Sequence, residues 1–228
     1  MTEAPPRESG AEDGSPRSEV LERTVHDLKN PLAVVRSALE WLEVELEGRE
    51  DALDAVRDAT TAATRLLAIV DDLDALARLE RAGAIAGEAM ELTSIIGQVT
   101  AAAAIRLAAR GLSVTSSAPT ALPTNGDAGL LGRAFHVLID ACARGAPSGT
   151  CIELRARLTG GERSAGAIEI EIGQHGTVPA APETDALDAL GSGGLGAYLA
   201  LQVASAHGGS LVVLPTATMP RVLMRLPR

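Results

Sequence analysis

The stretch LERTVHDLKNPLAVVRSALEWLEVEL, residues 21–46, predicts a long helix in the N-terminal part of this chain. Its apolar residues recur alternately four and three positions apart, which is the repeat of a heptad seam along one face of a long helix. The seam consists of Leu21, Val25, Leu28, Leu32, Val35, Leu39, Leu42 and Leu46. Charged residues fall off this seam, so the pattern predicts an amphipathic helix that ends at Gly48.

A second stretch with helical periodicity, from about residue 51 to residue 81, predicts another helix of similar length. The connection between the two helices is short, so they must run antiparallel. Two such helices cannot enclose both of their own apolar stripes. We therefore expect two hairpins to pair into a four-helix bundle, which makes the protein a homodimer.

After a breaker segment at residues 81–87 the pattern changes to alternating helices and short strands. Helices are expected over residues 93–109, 129–144 and 195–206, and strands over 112–116, 151–158, 167–172, 210–214 and 221–226, with a loop over 118–127. The predicted fold class is α+β, with a helical hairpin followed by an α/β sandwich whose helices cover one face. The predicted organisation is a disordered tail over 1–17, the hairpin over 18–81 and the α/β domain over 88–228.

Composition excludes several classes of function. The net charge is −10 and aromatic residues make up 1% of the 228 residues, which argues against binding to nucleic acids or to anionic membrane surfaces. Cys142 and Cys151 lack the spacing of metal ligands, so no metal site is predicted. The N-terminal residues contain no apolar segment of the signal-peptide type, and a cytoplasmic protein is expected.

The segment HDLKNPL, residues 26–32, carries the chemistry of the first helix. His26 stands one position off the seam, so its imidazole is expected to project beside the bundle. Asp27 could accept a hydrogen bond from Nδ1 of the ring, which would leave Nε2 as the nucleophile. Asn30 lies one turn further and could orient a water molecule. Pro31 removes a backbone N–H and allows the helix to bend there.

This heptapeptide resembles the H-box of the sensor histidine kinases of two-component signalling. The resemblance implies that His26 accepts a phosphoryl group, that Asp27 acts as its base, and that Asn30 positions water for dephosphorylation of a partner response regulator. Arg23 and Lys29, the only lysine in the chain, are expected to offset charge on the transferring group. These two residues could equally be solvated surface residues.

The residues from about 88 onwards resemble the ATP-binding domain of the same family. The segment LGRAFHVLIDACARGA, residues 131–146, is similar to the N-box, with Asp140 and Arg144 at an acidic and a basic position. However, Ala141 stands where the resemblance implies a magnesium-binding Asn, and Gly173 stands where it implies the adenine-binding Asp. Neither residue can supply that chemistry, so a degenerate ATP site is predicted.

The segment GSGGLGAYLA, residues 191–200, is similar to the second glycine box of the family. Gly194 and Gly196 are therefore candidates for phosphate binding through backbone N–H groups, although glycines here would also permit a tight entry into the following helix. His207, in the turn AHGG after that helix, is expected to be a turn residue.

The leading hypothesis is a phosphorelay protein in which His26 passes a phosphoryl group to or from the aspartates of response regulator receiver domains. It needs no cofactor, because the donor is an aspartyl phosphate. A second hypothesis is an active histidine kinase that uses ATP and Mg²⁺ weakly. A third is a non-enzymatic dimeric scaffold that regulates a kinase or a response regulator. Nucleotide binding separates the first two, and phosphate on His26 separates both from the third.

Overall fold

A computed structural model describes residues 16–46, 49–82, 87–144, 146–160, 166–175, 184–185, 194–214 and 221–228. Its N-terminal part is a hairpin of two long helices in contact with each other, α1 (Pro16–Glu45) and α2 (Glu50–Ala82). Helix α1 begins two residues before the boundary expected from the sequence, so Pro16 and Arg17 do not belong to the tail. Proline suits the first helical turn, because its fixed φ is helical and its missing N–H would have no partner there. The remainder of the expected tail lies outside the described residues.

The heptad seam of α1 is covered on one flank only. Val25 is 3% exposed, whereas Leu28 and Val35 are 43% and 47% exposed. The later seam residues are half-buried, namely Leu32, Leu39, Leu42 and Leu46. Helix α2 packs against one side of the seam, and among the described residues no element covers Leu28 and Val35 on the other side.

The C-terminal part is built from three helices and eight strands in the described ranges. The helices are α3 (Leu92–Ala108), α4 (Ala128–Ala143) and α5 (Gly194–Ala206). The strands are β1 (Glu88–Glu91), β2 (Ser113–Ser117), β3 (Pro123–Gly126), β4 (Cys151–Thr159), β5 (Ala167–Gln174), β6 (Thr184–Asp185), β7 (Ser210–Leu214) and β8 (Arg221–Pro227). The five predicted strands and three predicted helices are all present, and the α+β fold class is confirmed.

Six of the strands form one mixed sheet in the order β2-β4-β5-β8-β7-β6. Strands β2 and β4 are parallel, and the other neighbouring pairs are antiparallel. Helices α3, α4 and α5 cover one face of this sheet, and their apolar residues share one core with β4, β5, β7 and β8. This is the two-layer arrangement that the alternation of helices and strands predicts.

A second, two-stranded sheet was not expected from the sequence. Strand β3 lies within the segment predicted as a loop, and it pairs antiparallel with β1. The Glu91 carboxylate stabilises this corner, because Oε1 accepts hydrogen bonds from the backbone N–H of Leu122 (2.5 Å) and of Thr93 (3.4 Å). The sequence of β3, PTNG, has no apolar alternation. Its strand conformation therefore comes from a partner about 35 residues away rather than from local preference.

Candidate functional site

The motif HDLKNPL lies on α1, and Pro31 is inside the helix. Asn30 and Pro31 are exposed. The backbones of Arg23, His26 and Asp27 lie on the same helix, while the placement of their side chains is outside what the structure describes. The expected nucleophile and base thus belong to one helical turn, and their mutual geometry stays a prediction.

Lys29, in the same turn, connects the motif to α2. Its Nζ lies 3.1 Å from Oδ1 of Asp71 and 3.2 Å from Oδ2 of Asp74. Partial burial lowers the pKa of Lys29, but the hydrogen bonds and charges of the two aspartates outweigh burial, so the net shift is upward. Lys29 therefore joins α1 to α2 three residues after His26. Its expected contact with a phosphoryl group stays a prediction.

Asp140, the acidic candidate on α4, is bonded to protein groups. Its Oδ1 accepts from Nη2 of Arg106 at 2.8 Å, and Nε2 of His136 lies 3.2 Å from its Oδ2. Burial raises the pKa of Asp140, yet the bonds from His136 and Arg106 lower it further, so the carboxylate is held ionised. Arg144, the basic candidate, is the exposed C-cap of the same helix. Both oxygens of Asp140 thus contact protein groups.

At the end of β5, the neighbouring residues Ile172 and Gly173 face opposite sides of the sheet. Side chains alternate between the two faces of a strand, so a shift of one residue moves a side chain to the other face. Ile172 is 1% exposed within the core beneath the helices, and its carbonyl accepts from Sγ of Cys142 on α4 at 3.5 Å. Gly173 faces the other side, where a Cβ atom would lie 2.9 Å from Cγ of Arg221.

The residue that faces the helices at this end of the sheet is therefore Ile172 and not Gly173. Neither side chain offers an oxygen that could accept a bond from an exocyclic amine. Ala141, beside Cys142, likewise offers no oxygen for a magnesium ion. The described residues at these positions do not fit ATP with Mg²⁺, and within the described ranges no group of three or more His, Cys, Asp or Glu residues could hold a metal ion.

The glycine candidates lie at the start of α5, which begins at Gly194. A Cβ atom on Gly196 would lie 3.2 Å from Cβ of Val137 on α4 and 3.5 Å from Oδ2 of Asp72 on α2. The first distance is tighter than ordinary contact, so glycine at position 196 permits the close approach of three helices. Residues 191–193 of the glycine-rich loop lie outside the described residues.

One interaction at this junction was missed by the sequence analysis. Nε of Arg133 on α4 donates to Oδ1 of Asp72 at 2.8 Å, and Nη2 lies 2.6 Å from the same oxygen. Nη2 also donates to the carbonyl of Ala68 at 2.7 Å. Burial raises the pKa of Asp72, and the Arg133 guanidinium opposes that rise. The acidic residues at positions 71–74 could have indicated an ion pair. However, Arg133, the partner of Asp72, is 61 positions away along the chain.

Comparison with known proteins finds similarity to histidine kinases. The model of the His Kinase A (phospho-acceptor) domain matches residues 17–82. The sensor-like histidine kinase SenX3 of Mycolicibacterium smegmatis is 24% identical over 86% of this chain and 53% of its own length. The signal transduction histidine-protein kinase BaeS of Escherichia coli is 26% identical over 82% of this chain and 41% of its own length.

The chain is similar to sensor histidine kinases over most of its length, and its residues 17–82 match the phospho-acceptor domain. It spans about half the length of the curated relatives that it matches. Within the ranges described here, no helix combines the length and apolar character that crossing a bilayer requires.

Solved structures of histidine kinases have a similar fold. A crystal structure of full-length ShkA in complex with AMPPNP superimposes with a TM-score of 0.65 and 20% identity, covering 92% of this chain and 46% of that one. The histidine kinase AdeS of Acinetobacter baumannii gives a TM-score of 0.54 and 18% identity, covering 89% of this chain and 97% of that one. The helical hairpin and the α/β part of this chain therefore have the architecture of a histidine kinase.

Proposed function

We propose that this chain is a phosphorelay protein of two-component signalling. His26 accepts a phosphoryl group from the aspartyl phosphate of a receiver domain and can return it to a receiver aspartate. Two observations support the proposal: the phospho-acceptor domain model matches residues 17–82, and the motif HDLKNPL lies on the first helix of the hairpin. The match to the phospho-acceptor domain is the observation that carries it.

The reaction balances without a nucleotide. Nε2 of His26 attacks the phosphorus atom, an N–P bond forms, the O–P bond to the receiver aspartate breaks, and the aspartate leaves as a carboxylate. Asp27 holds the proton on Nδ1 and so keeps Nε2 free for attack. Asn30 orients water for dephosphorylation of the receiver, Arg23 offsets phosphoryl charge, and Pro31 loosens the helix beside His26.

Transfer without ATP is favoured over autophosphorylation by the residues of the α/β domain. Ala141 and Gly173 present no side-chain oxygen to a nucleotide, and Arg106 and His136 contact the two oxygens of Asp140. Missing partners for a buried polar ligand weaken binding, and the loss of a magnesium ligand weakens it further. We accordingly assign no cofactor.

The second candidate is a histidine kinase that phosphorylates His26 from ATP and Mg²⁺. It is favoured by the two relatives named as histidine kinases, which align with 86% and 82% of this chain. Both candidates use the same histidine, and they differ in the phosphoryl donor. Identifying the phosphoryl donor therefore distinguishes the two candidates.

The test offers each phosphoryl donor separately to the purified protein. ³²P-labelled ATP with Mg²⁺ is one donor, and a panel of prephosphorylated receiver domains is the other. We expect acid-labile label from a receiver and none from ATP. His26→Gln should abolish labelling, Asp27→Asn should slow it by about 10² to 10⁴-fold, and Asn30→Ala should spare it. His175→Gln, a change at the exposed histidine that follows β5, is the matched control and should label normally.

Label from ATP on His26 would establish the kinase instead. Label that persists in His26→Gln would contradict both candidates. If no receiver and no nucleotide labels the protein, the scaffold hypothesis replaces them.

A further inference from the structure

Helix α3 exposes a large apolar side chain on its outer face. Ile105 is 79% exposed, the largest value among the large apolar side chains of the described residues. The opposite face of α3 is buried, since Ile95, Ile96 and Leu107 belong to the core of the α/β domain. A single exposed isoleucine is common on protein surfaces. The residues beside Ile105 distinguish this one.

A hollow lies next to Ile105 on the same face of α3. Positions separated by three, four and seven residues enclose a hole that can receive one side chain from a facing helix. Four exposed residues have this spacing, and three of them are small: Ser94, Gly97, Gln98 and Ala101. No described side chain lies within 4 Å of a Cβ atom placed on Gly97, so the hollow is open.

An antiparallel second copy of α3 brings each Ile105 to the hollow of the other copy. A two-fold axis at Ala101 places Ile105 of one copy at the height of Gly97 of the other, because both lie four residues, about 6 Å, from Ala101. Each Ile105 then faces the hole formed by residues 94, 97, 98 and 101. The face is therefore complementary to itself, as an interface between two identical chains requires.

The charges at the two ends of α3 favour the antiparallel orientation. Glu88 and Glu91 lie just before its first turn, whereas Arg106 lies in its last turn and Arg110 follows it. Residues 94–105 contain no charged side chain. Antiparallel pairing brings the acidic end of one copy beside the basic end of the other, while parallel pairing would bring like charges together.

We propose that the outer face of α3 is an interface between two copies of this chain, with Ile105 of each copy seated in the hollow of the other. This face is separate from the hairpin surface expected to form the four-helix bundle, so its pairing joins two homodimers. One pair of helices buries a small area, so the association is weak and the protein stays dimeric at micromolar concentration. The pairing does not depend on phosphoryl transfer at His26.

Disulfide trapping in the full chain tests this arrangement. In a Cys151→Ser background, Ala101→Cys places a thiol at the two-fold axis, where the two Cα atoms should be within the disulfide range of about 4.4–6.8 Å. Cys142 is buried and is retained. Ala102→Cys is the matched control, because Ala102 is also exposed but points about 100° away around the helix.

Under mild oxidation at about 100 μM protein, a concentration suited to a small interface, Ala101→Cys should give at least tenfold more disulfide-linked chain than the control. Adding Ile105→Asp should lower this linkage at least tenfold, because a charge would enter the hollow. Its circular dichroism spectrum should not change, since Ile105 is outside the core. Gly97→Leu should also lower linkage by filling the hollow, although leucine favours the helix itself.

Equal linkage at positions 101 and 102 would overturn the proposal, as would the absence of linkage at position 101. Linkage that persists in Ile105→Asp or in Gly97→Leu would also overturn it, because the contact would then not use the hollow. Labelling of His26 plays no part in this readout, so failure of the proposed function would leave the result intact.

Discussion

His207, in the turn after α5, connects two helices through its imidazole ring. Its Nδ1 lies 2.7 Å from the carbonyl of Val203, which can only accept, so Nδ1 carries the proton. Its Nε2 accepts a bond from the backbone N–H of Asp127 at 3.0 Å. Asp127 is in turn the N-cap of α4, with Oδ1 accepting from the N–H of Leu130. The imidazole therefore joins the end of α5 to the start of α4.

We expect His207→Phe to lower the free energy of unfolding by about 1–3 kcal/mol, because the N–H of Asp127 loses its acceptor. Urea denaturation followed by circular dichroism measures the change. His175→Phe is the control, since that histidine side chain is 65% exposed, and it should change stability by no more than about 0.5 kcal/mol. Equal effects of the two substitutions would contradict the role of His207.

At the scale of the element, charged side chains connect three strands on the sheet face opposite the helices. Glu169 of β5 accepts from Nε and Nη2 of Arg157 on β4 at 2.9 and 2.7 Å. It also accepts from Nε of Arg225 on β8 at 3.1 Å. Glu171 pairs in the same way with Arg221 of β8 at 2.5 Å. Cross-strand pairs of opposite charge stabilise neighbouring strands.

The Arg157 guanidinium lowers the pKa of Glu169, as does Arg225, although partial burial opposes them. A carboxyl whose pKa is lower in the folded state contributes stability above its unfolded pKa, and this contribution is lost as pH falls through the folded value. We expect Glu169→Gln to reduce stability at pH 7, and the difference from wild type to shrink below about pH 4.5.

Urea titrations from pH 7 down to pH 3 measure this difference. In an Arg157→Met background the pH-dependent part of the difference should be smaller, because the largest cause of the shift is gone. A difference between Glu169→Gln and wild type that is constant across this range would contradict the prediction.

At the scale of the whole molecule, the hairpin leaves large apolar side chains exposed. These are Leu28, Val34, Val35, Trp41 and Val44 on α1, and Leu66 and Ile69 on α2. Helices that expose an apolar stripe require a partner surface, and a second hairpin provides one. Homodimerisation through α1 and α2 is the arrangement that we propose for this surface.

Val35→Asp tests the dimer more sharply than a change at Leu39 or Leu42. Leu39 and Leu42 are half-buried in the single chain, whereas Val35 is 47% exposed, so a charge there spares the hairpin. Light scattering coupled to size exclusion should give about twice 23.4 kDa for the wild type and for the control Ser37→Asp at an exposed position. Val35→Asp should give a monomer, because an unpaired charge would be buried in the interface. A monomeric wild type at micromolar concentration would reject the dimer.

The pattern of apolar and polar residues was sufficient to predict the long helices and the central strands. The heptad seam of residues 21–46 predicted α1, and period-two alternation predicted β4 and β5. Each of these elements buries one face. The order of apolar and polar residues shows that face directly, because its period matches the geometry of a helix or a strand. The motif HDLKNPL similarly predicted the resemblance to sensor histidine kinases from seven consecutive residues.

Contacts between residues that are far apart in the sequence could not be predicted from it. The pairing of β1 with β3, the face on which Ile172 and Gly173 lie, and the ion pair of Asp72 with Arg133 depend on partners tens of residues apart. An acidic run in a sequence is compatible with a solvated helix face, and nothing local shows that one of its carboxylates is buried. The physical reason is that charge pairing and strand pairing are properties of the packed chain, whereas amphipathic periodicity is a property of the sequence itself.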